Sequence, residues 1–130
     1  VLLFDLEKFK HFNDNYGHAA GDLVLKSFAK VMRKQARKRI DLVCRYGGEE
    51  FLMVLPGLNA MQAKEVAEVI RLACHDEKVT APNGNKIGFT TSTGVAELTA
   101  NDDIESLLRR SDDALYAAKD SGRDQVSVAG

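Results

Sequence analysis

Asp5 ends an apolar run, Val1-Leu2-Leu3-Phe4, and Glu49-Glu50 follow two glycines, Gly47-Gly48, that separate two further strand-like runs. If the first run is a strand and the other two are the arms of a hairpin beside it, three carboxylates meet at one edge of a sheet. Converging oxygen donors suit Mg²⁺, a hard cation that keeps waters and takes its remaining ligands from substrate phosphates. Turns also favour acids for their own sake, and solvated carboxylates leave the same signature. The glycines add weight to the metal reading, because residues without Cβ let a nucleobase or ribose approach the backbone. They are equally a hairpin turn, which calls for positive φ.

Lys8-Phe9-Lys10 precede a short amphipathic stretch, so backbone N–H groups and a cation together form a phosphate cradle. Asn13 and Asp22 carry the chemistry to read a purine: a carboxylate accepts from guanine N1–H and N2–H₂, and an amide serves either face. Both residues are also ordinary helix caps. Lys119 and Arg123 flank the end of the last helix, where cations complement the helix dipole as well as any anion. His11, His18 and His75 show no ligand or nucleophile pattern and are assigned to structure. The basic stretch from Lys26 to Arg39 reads as a solvated helix face, not a nucleic-acid surface.

The elements that must position these groups follow from periodicity. Residues 1–4 form a central strand. Two amphipathic stretches come next, Phe9 to Tyr16 closed by Gly17 and a longer one beginning near Gly21-Asp22 with Leu25, Phe28, Ala29, Met32 and Ala36 at helical spacing. Strands at Asp41 to Tyr46 and Glu50 to Leu55 make the hairpin. Ala63, Val66, Ala67, Ile70, Ala73 and Cys74 put a helix at about 59–75. Pro82-Asn83-Gly84-Asn85 is a turn between a short strand and a longer one at Ile87 to Ala96. A further helix runs from a cap at Asn101-Asp102-Asp103 to Gly122, with Gln125 to Val128 as an edge strand. The fold class is a mixed α/β sandwich.

The chain has 130 residues, 45% of them apolar and 28% charged, with a formal net charge of -1. That composition excludes disordered and fibrous classes, and near-neutrality removes any global pull toward nucleic acid or an anionic membrane. No apolar run approaches the length needed to span a bilayer, and no signal-peptide pattern opens the chain. Cys44 and Cys74 lack metal-ligand spacing and read as reduced core thiols of a cytoplasmic protein.

Taken together, Asp5-Leu6-Glu7-Lys8-Phe9-Lys10, Asn13-Asp14, Gly17-His18, Gly21-Asp22 and Arg45-Tyr46-Gly47-Gly48-Glu49-Glu50-Phe51 resemble the GGDEF-domain family of diguanylate cyclases. Ala118-Lys119-Asp120-Ser121-Gly122-Arg123-Asp124 resembles that family's closing motif. The resemblance covers the chain from first strand to last, 1–130 as one domain without the helix that usually precedes the first strand. It implies a palm-like nucleotidyl cyclase fold, a central mixed sheet with an antiparallel hairpin flanked by helices. The implied reaction condenses two GTP into cyclic di-GMP and two pyrophosphates, with Mg²⁺ or Mn²⁺ as cofactor. By motif position, Asp5, the Leu6 carbonyl and Glu49 are the metal ligands, and Glu50 completes the catalytic acids. Phe9 (by its backbone), Lys10, Lys119 and Arg123 hold the triphosphate, and Asn13 and Asp22 read guanine. The implied active state is a homodimer, one GTP per subunit, driven by a sensory or regulatory domain on the N-terminal side in a longer chain. Two departures stand out. Glu7 occupies a position where aspartate is commoner. The family's inhibitory product site pairs an arginine with an aspartate three residues on, and here those positions are Lys38 and Asp41. Its second arginine has no counterpart at Val69, although Arg71 is near. The competing reading is a catalytically weak module that binds GTP or cyclic di-GMP, whose usual mark is a degraded acidic turn; this turn is intact.

Overall fold

The first strand, β1 (Leu2–Leu6), is buried along its whole length and lies at the centre of a five-stranded sheet. A computed structural model describes residues 1–130. The remaining elements are α1 (Phe9–Tyr16), α2 (His18–Gln35), β2 (Leu42–Arg45), β3 (Glu50–Val54), α3 (Ala60–Asp76), β4 (Val79–Thr80), β5 (Lys86–Ile87), β6 (Thr91–Val95), α4 (Ile104–Asp120) and β7 (Val126–Val128). The sheet order is β2-β3-β1-β6-β7, antiparallel throughout except for β6 and β7, which run parallel and are joined through α4. The expected hairpin therefore does lie beside the first strand.

Alternation along β1 sorts its side chains onto two different surfaces. Leu2, Phe4 and Leu6 face the main core, with Phe51 and Met53 of β3, Phe28 and Met32 of α2, and Ile70 of α3. Phe28 anchors this side, its ring meeting those of Phe4 and Phe51 edge-on at 5.5 and 5.1 Å. The opposite surface carries Leu3 and then Asp5, and its apolar part is a small cluster of Leu3, Leu52 and Leu115 under α4. Each face thus has its own cover, and the acids lie on the α4 side.

α4 approaches closely enough that Gly94 of β6 has no room for a side chain; a Cβ there would overlap Ser111 O and Leu115 N. Its N-terminus is a reciprocal cap between Asp103 and Ser106, as the acids before it predict, and α3 begins with the equivalent box of Asn59 and Gln62.

Three expectations are corrected. The long helix starts at His18, ahead of Gly21, so the helical spacing ran further toward the N-terminus than its apolar stripe. The strand expected over Ile87 to Ala96 is two: β5 pairs only with β4 in a separate small sheet, and the ladder resumes at Thr91. Finally, Gly47 and Gly48 are not among the glycines with positive φ. The hairpin is closed by Tyr46 N–H and Gly47 N–H both donating to Glu50 O, at 2.8 and 3.1 Å. Cys74 is buried as expected, its thiol pushed up to about 12 by burial, whereas Cys44 is only half-buried.

Candidate functional site

Register brings the acids together. Asp5 of β1 is the direct partner of Glu50 on β3 and of Ser92 on β6, and Leu6 N–H donates to Glu49 O at 3.1 Å. The Asp5 carboxylate is buried, and so is that of Glu7 just beyond it. Burial raises the Glu50 carboxyl above the ordinary glutamate range, and the Asp5 charge adds to the shift, with Lys119 pulling the other way. Glu50, held back from ionising by burial and a like-charged neighbour, is short of positive charge.

The cations arrive from the end of α4. Lys119 follows Leu115 by one helical turn, so the stripe that packs Leu115 on the sheet also lowers the lysine onto it. Its ammonium is ion-paired with Asp5. Burial lowers the Lys119 pKa, but the hydrogen bond to Asp5 and the charges of Asp5, Glu50 and Glu7 outweigh it, and the net shift is upward. Beyond the helix, Gly122, Arg123 and Asp124 all have positive φ, a tight reversal that returns the chain toward β1. Arg123 Nε comes within 3.3 Å of Glu7 while the rest of its side chain stays exposed. Ser92 Oγ donates to Glu7 from the other flank.

The donors are all oxygens, and their type fits a hard divalent cation. The side chains do not close on one point as they stand, because no group of three acids is near enough to hold an ion. Lys119 occupies the place of a counter-charge on Asp5. A divalent cation held by these oxygens would supply the missing positive charge in place of Lys119.

Arg45 stands in the turn motif, but the sequence assigned it no role. Its guanidinium donates to the carbonyls of Gly47 and Gly48, at 3.1 Å from Nε to Gly47 O and 3.0 Å from Nε to Gly48 O, which holds the acidic turn in shape. An arginine at the end of a strand looks solvated until the turn is seen to curl under it. Ser92 was also missed, since a serine inside a strand carries no signal of the glutamate opposite. Beside Gly48 lies open space, as a ligand approaching the backbone requires.

On α1, Asn13 points its Oδ1 into a buried position where it has no hydrogen-bond partner. A Cβ at Gly21 would overlap that oxygen, so the glycine creates the niche the amide occupies. Asp22, next in the chain, is exposed, and so is Lys10 on α1. Phe9 is half-buried and stands at the first position of α1, after Lys8 in the left-handed conformation. Asn13 Oδ1 is thus an orphaned buried acceptor, and the Asp22 carboxylate makes no hydrogen bond.

The loop from Arg37 to Asp41 is arranged differently. Arg37 holds Asp41 by 2.8 Å and 3.2 Å side-chain bonds and by its own backbone N–H at 2.7 Å, and it also donates to Pro56 O. Burial would raise the Asp41 carboxyl, but the Arg37 bonds outweigh it and hold it below the usual aspartate range. Lys38 is exposed. Arg71 is engaged with Glu68 and Asp124, and Val69 is exposed.

Residues 1–125 match the family model described as "Diguanylate cyclase, GGDEF domain". The chain is 44% identical to "Diguanylate cyclase DgcM" of Escherichia coli strain K12 over 130 residues, which is 99% of this chain and 30% of that protein. It spans about a third of the length of the curated relatives it matches. Among solved structures, it superposes on the GGDEF domain of DgcB from Caulobacter crescentus, determined in complex with c-di-GMP, with a TM-score of 0.93 at 34% identity, covering 98% of this chain and 75% of that one. It superposes on the active GGEEF domain of a diguanylate cyclase from Vibrio cholerae with a TM-score of 0.88 at 33% identity, covering 99% and 81% of the two chains. With the acidic turn, the α4 cations and the central hairpin in this arrangement across nearly the whole length, the chain belongs to the GGDEF domain family.

Proposed function

We propose that this domain is a diguanylate cyclase, a nucleotidyltransferase that joins two GTP into cyclic di-GMP with release of two pyrophosphates. The observation that carries it is the register setting Asp5 opposite Glu50 at the edge where Lys119 and Arg123 arrive, in a member of this family.

Asp5, the carbonyl of Leu6 and Glu49 would hold Mg²⁺, or Mn²⁺, with Glu50 completing the acidic site. The metal supplies Lewis-acid stabilisation of charge on the attacking and leaving oxygens. The chain's own residues do the rest. Lys119 and Arg123, now spent on Asp5 and Glu7, transfer to the triphosphate with Lys10, and the backbone at Phe9 receives phosphate oxygens at the start of α1. Asn13 and Asp22 orient guanine. Arg45 keeps the turn closed so that the carboxylates stay at a fixed height above the sheet. Little covalent work is asked of any side chain; positioning and charge carry the rate.

One domain provides half a site, because each condensation needs two nucleotides facing each other. The active state is therefore a homodimer, and the input that brings two copies together lies in the remainder of a longer chain. No helix is long and apolar enough to cross a membrane. A cytoplasmic location suits the GTP supply.

The test is incubation with GTP and Mg²⁺ and chromatography of the products. Cyclic di-GMP and pyrophosphate in a 1:2 ratio are expected, on the stoichiometry of the reaction. A folded protein that binds GTP or cyclic di-GMP yet makes no product would move the domain to the regulatory-module reading.

A further inference from the structure

Behind the acidic edge, on the far side of the Glu7–Lys8 link, a cleft of about 370 Å³ opens between α1, the end of α3 and the small β4–β5 sheet. Its floor is aromatic, with Phe12 and Phe89 buried in the main core. Lys8, Lys78 and Lys86 line its walls together with His11 and His75.

The charge balance of this cleft is one-sided. One acid lines it, Glu7, and it is already engaged with Arg123 and Ser92; Asp124, outside the lining, holds His75 and Arg71. None of the three lysines makes an ion pair, although all three are exposed and long enough to reach an acid. They come from three separate parts of the chain: the β1–α1 junction, the segment after α3, and β5. Lys8 is held in the left-handed region at φ 60, a conformation that costs a non-glycine residue energy. Like charges converging on a concave surface focus a positive potential, and a multiply charged anion relieves it more than a single charge does.

We propose that this cleft is a polyphosphate-binding site that adjoins the triphosphate cradle at Lys8 but is centred on Lys78 and Lys86, which lie outside it, taking a diphosphate group either as inorganic pyrophosphate or as the tail of a nucleoside polyphosphate. The lysines supply point charges to non-bridging oxygens, and the imidazole of His11 adds a donor at the rim. Pyrophosphate is the by-product of the proposed reaction, so occupancy here would make the domain responsive to its own leaving group or to nucleotide supply. The site itself does not depend on turnover.

The experiment is calorimetric titration of inorganic pyrophosphate, orthophosphate and GDP, without divalent metal, into three proteins. These are the wild type, Lys119→Gln/Arg123→Gln, and that pair combined with Lys78→Gln/Lys86→Gln. Pyrophosphate is expected to bind the Lys119/Arg123 variant and to bind at least tenfold more weakly once Lys78 and Lys86 are changed. Lys78→Gln/Lys86→Gln alone should keep the circular dichroism and the GTP turnover of the wild type. Tighter binding of GDP than of pyrophosphate in the Lys119/Arg123 background, lost once Lys78 and Lys86 are also changed, identifies a nucleotide tail, and the reverse identifies the inorganic ion. Unchanged pyrophosphate affinity after loss of Lys78 and Lys86, or equal displacement by sulfate at matched ionic strength, overturns the proposal. Because binding is read without turnover, that failure leaves the cyclase assignment untouched.

Discussion

Glu50 and Asp41 sit near opposite ends of the β2–β3 hairpin, and their surroundings treat a negative charge in opposite ways. At Glu50, burial and the neighbouring Asp5 push the carboxyl upward, with one shared lysine in partial compensation. At Asp41, Arg37 supplies a side-chain fork and a backbone N–H and pulls the carboxyl downward. The first is an acid in deficit, which a cation from solution can satisfy. The second is in surplus and has no need of a ligand. Motif position alone marks both as functional; the difference in electrostatic balance separates a site that is still open from one that has closed on itself.

The largest effect should come from the open end. Glu49→Gln should lower cyclase turnover by about 10⁴-fold or more, the loss of several kcal/mol of charge stabilisation in the transition state. Circular dichroism should not change, since the turn is held by Arg45 and backbone bonds. Wild-type turnover in a correctly folded Glu49→Gln protein would remove Glu49 from the ligand set.

Base selection comes next in size. In the proposed reading Asp22 would accept two guanine N–H groups where adenine would present a lone pair, and Asn13 Oδ1 is buried with no hydrogen-bond partner. Preference for GTP over ATP should reach about 10³-fold, below the limit for fully buried readers because Asp22 is exposed. Asp22→Ser should erase most of it, as competition assays with the two nucleotides would report. Equal use of ATP by the unaltered protein contradicts the assignment.

At the closed end, product inhibition should be weak. Lys38 offers a point charge in place of a planar fork, and Arg37 already occupies Asp41. Lys38→Arg should tighten cyclic di-GMP binding roughly tenfold to a hundredfold, the value of one charge-assisted bond. Tight binding by the unaltered protein with no gain from the substitution would show that the Arg37 contact yields readily.

The smallest effects are the most diagnostic, because they should have opposite signs. Glu50 has a raised carboxyl pKa in the fold, so its ionisation costs stability once pH exceeds the unfolded value, and Glu50→Gln should raise the melting temperature at neutral pH by roughly 1–3 °C. Asp41 has a lowered one. Its contribution is present above the unfolded aspartate pKa and fades as pH falls through the folded one, so Asp41→Asn should lower the melting temperature at neutral pH and have no effect in strong acid. Shifts of the same sign for the two would dissolve the contrast.

Much of this arrangement could be read before any coordinates. Asp5 and Glu49-Glu50 announce a shared edge because apolar runs of strand length precede or follow them, and alternation then does the rest. Lys119 could be assigned to the helix end but not to Asp5, since nothing local in a sequence encodes which strand a helix stripe will cover. Ser92 was invisible for the same reason: its partner is 85 positions away. The break at Gly88 to Thr90 was missed because threonines and Val95 carry strand propensity across it, and propensity cannot report that the ladder partner has changed. Arg37 lies one residue from the position the motif identifies, and only the geometry shows that it, not Lys38, holds the aspartate.

Gly94 has no side chain, touches no substrate in any reading offered above, and yet sets how low α4 rides on the sheet. A population of variants screened only for folding would retain it as strictly as one screened for turnover, because lifting the helix by the thickness of a methyl group opens the small cluster under it and carries Lys119 away from Asp5 in the same movement. Selection at this position therefore cannot distinguish fold from catalysis.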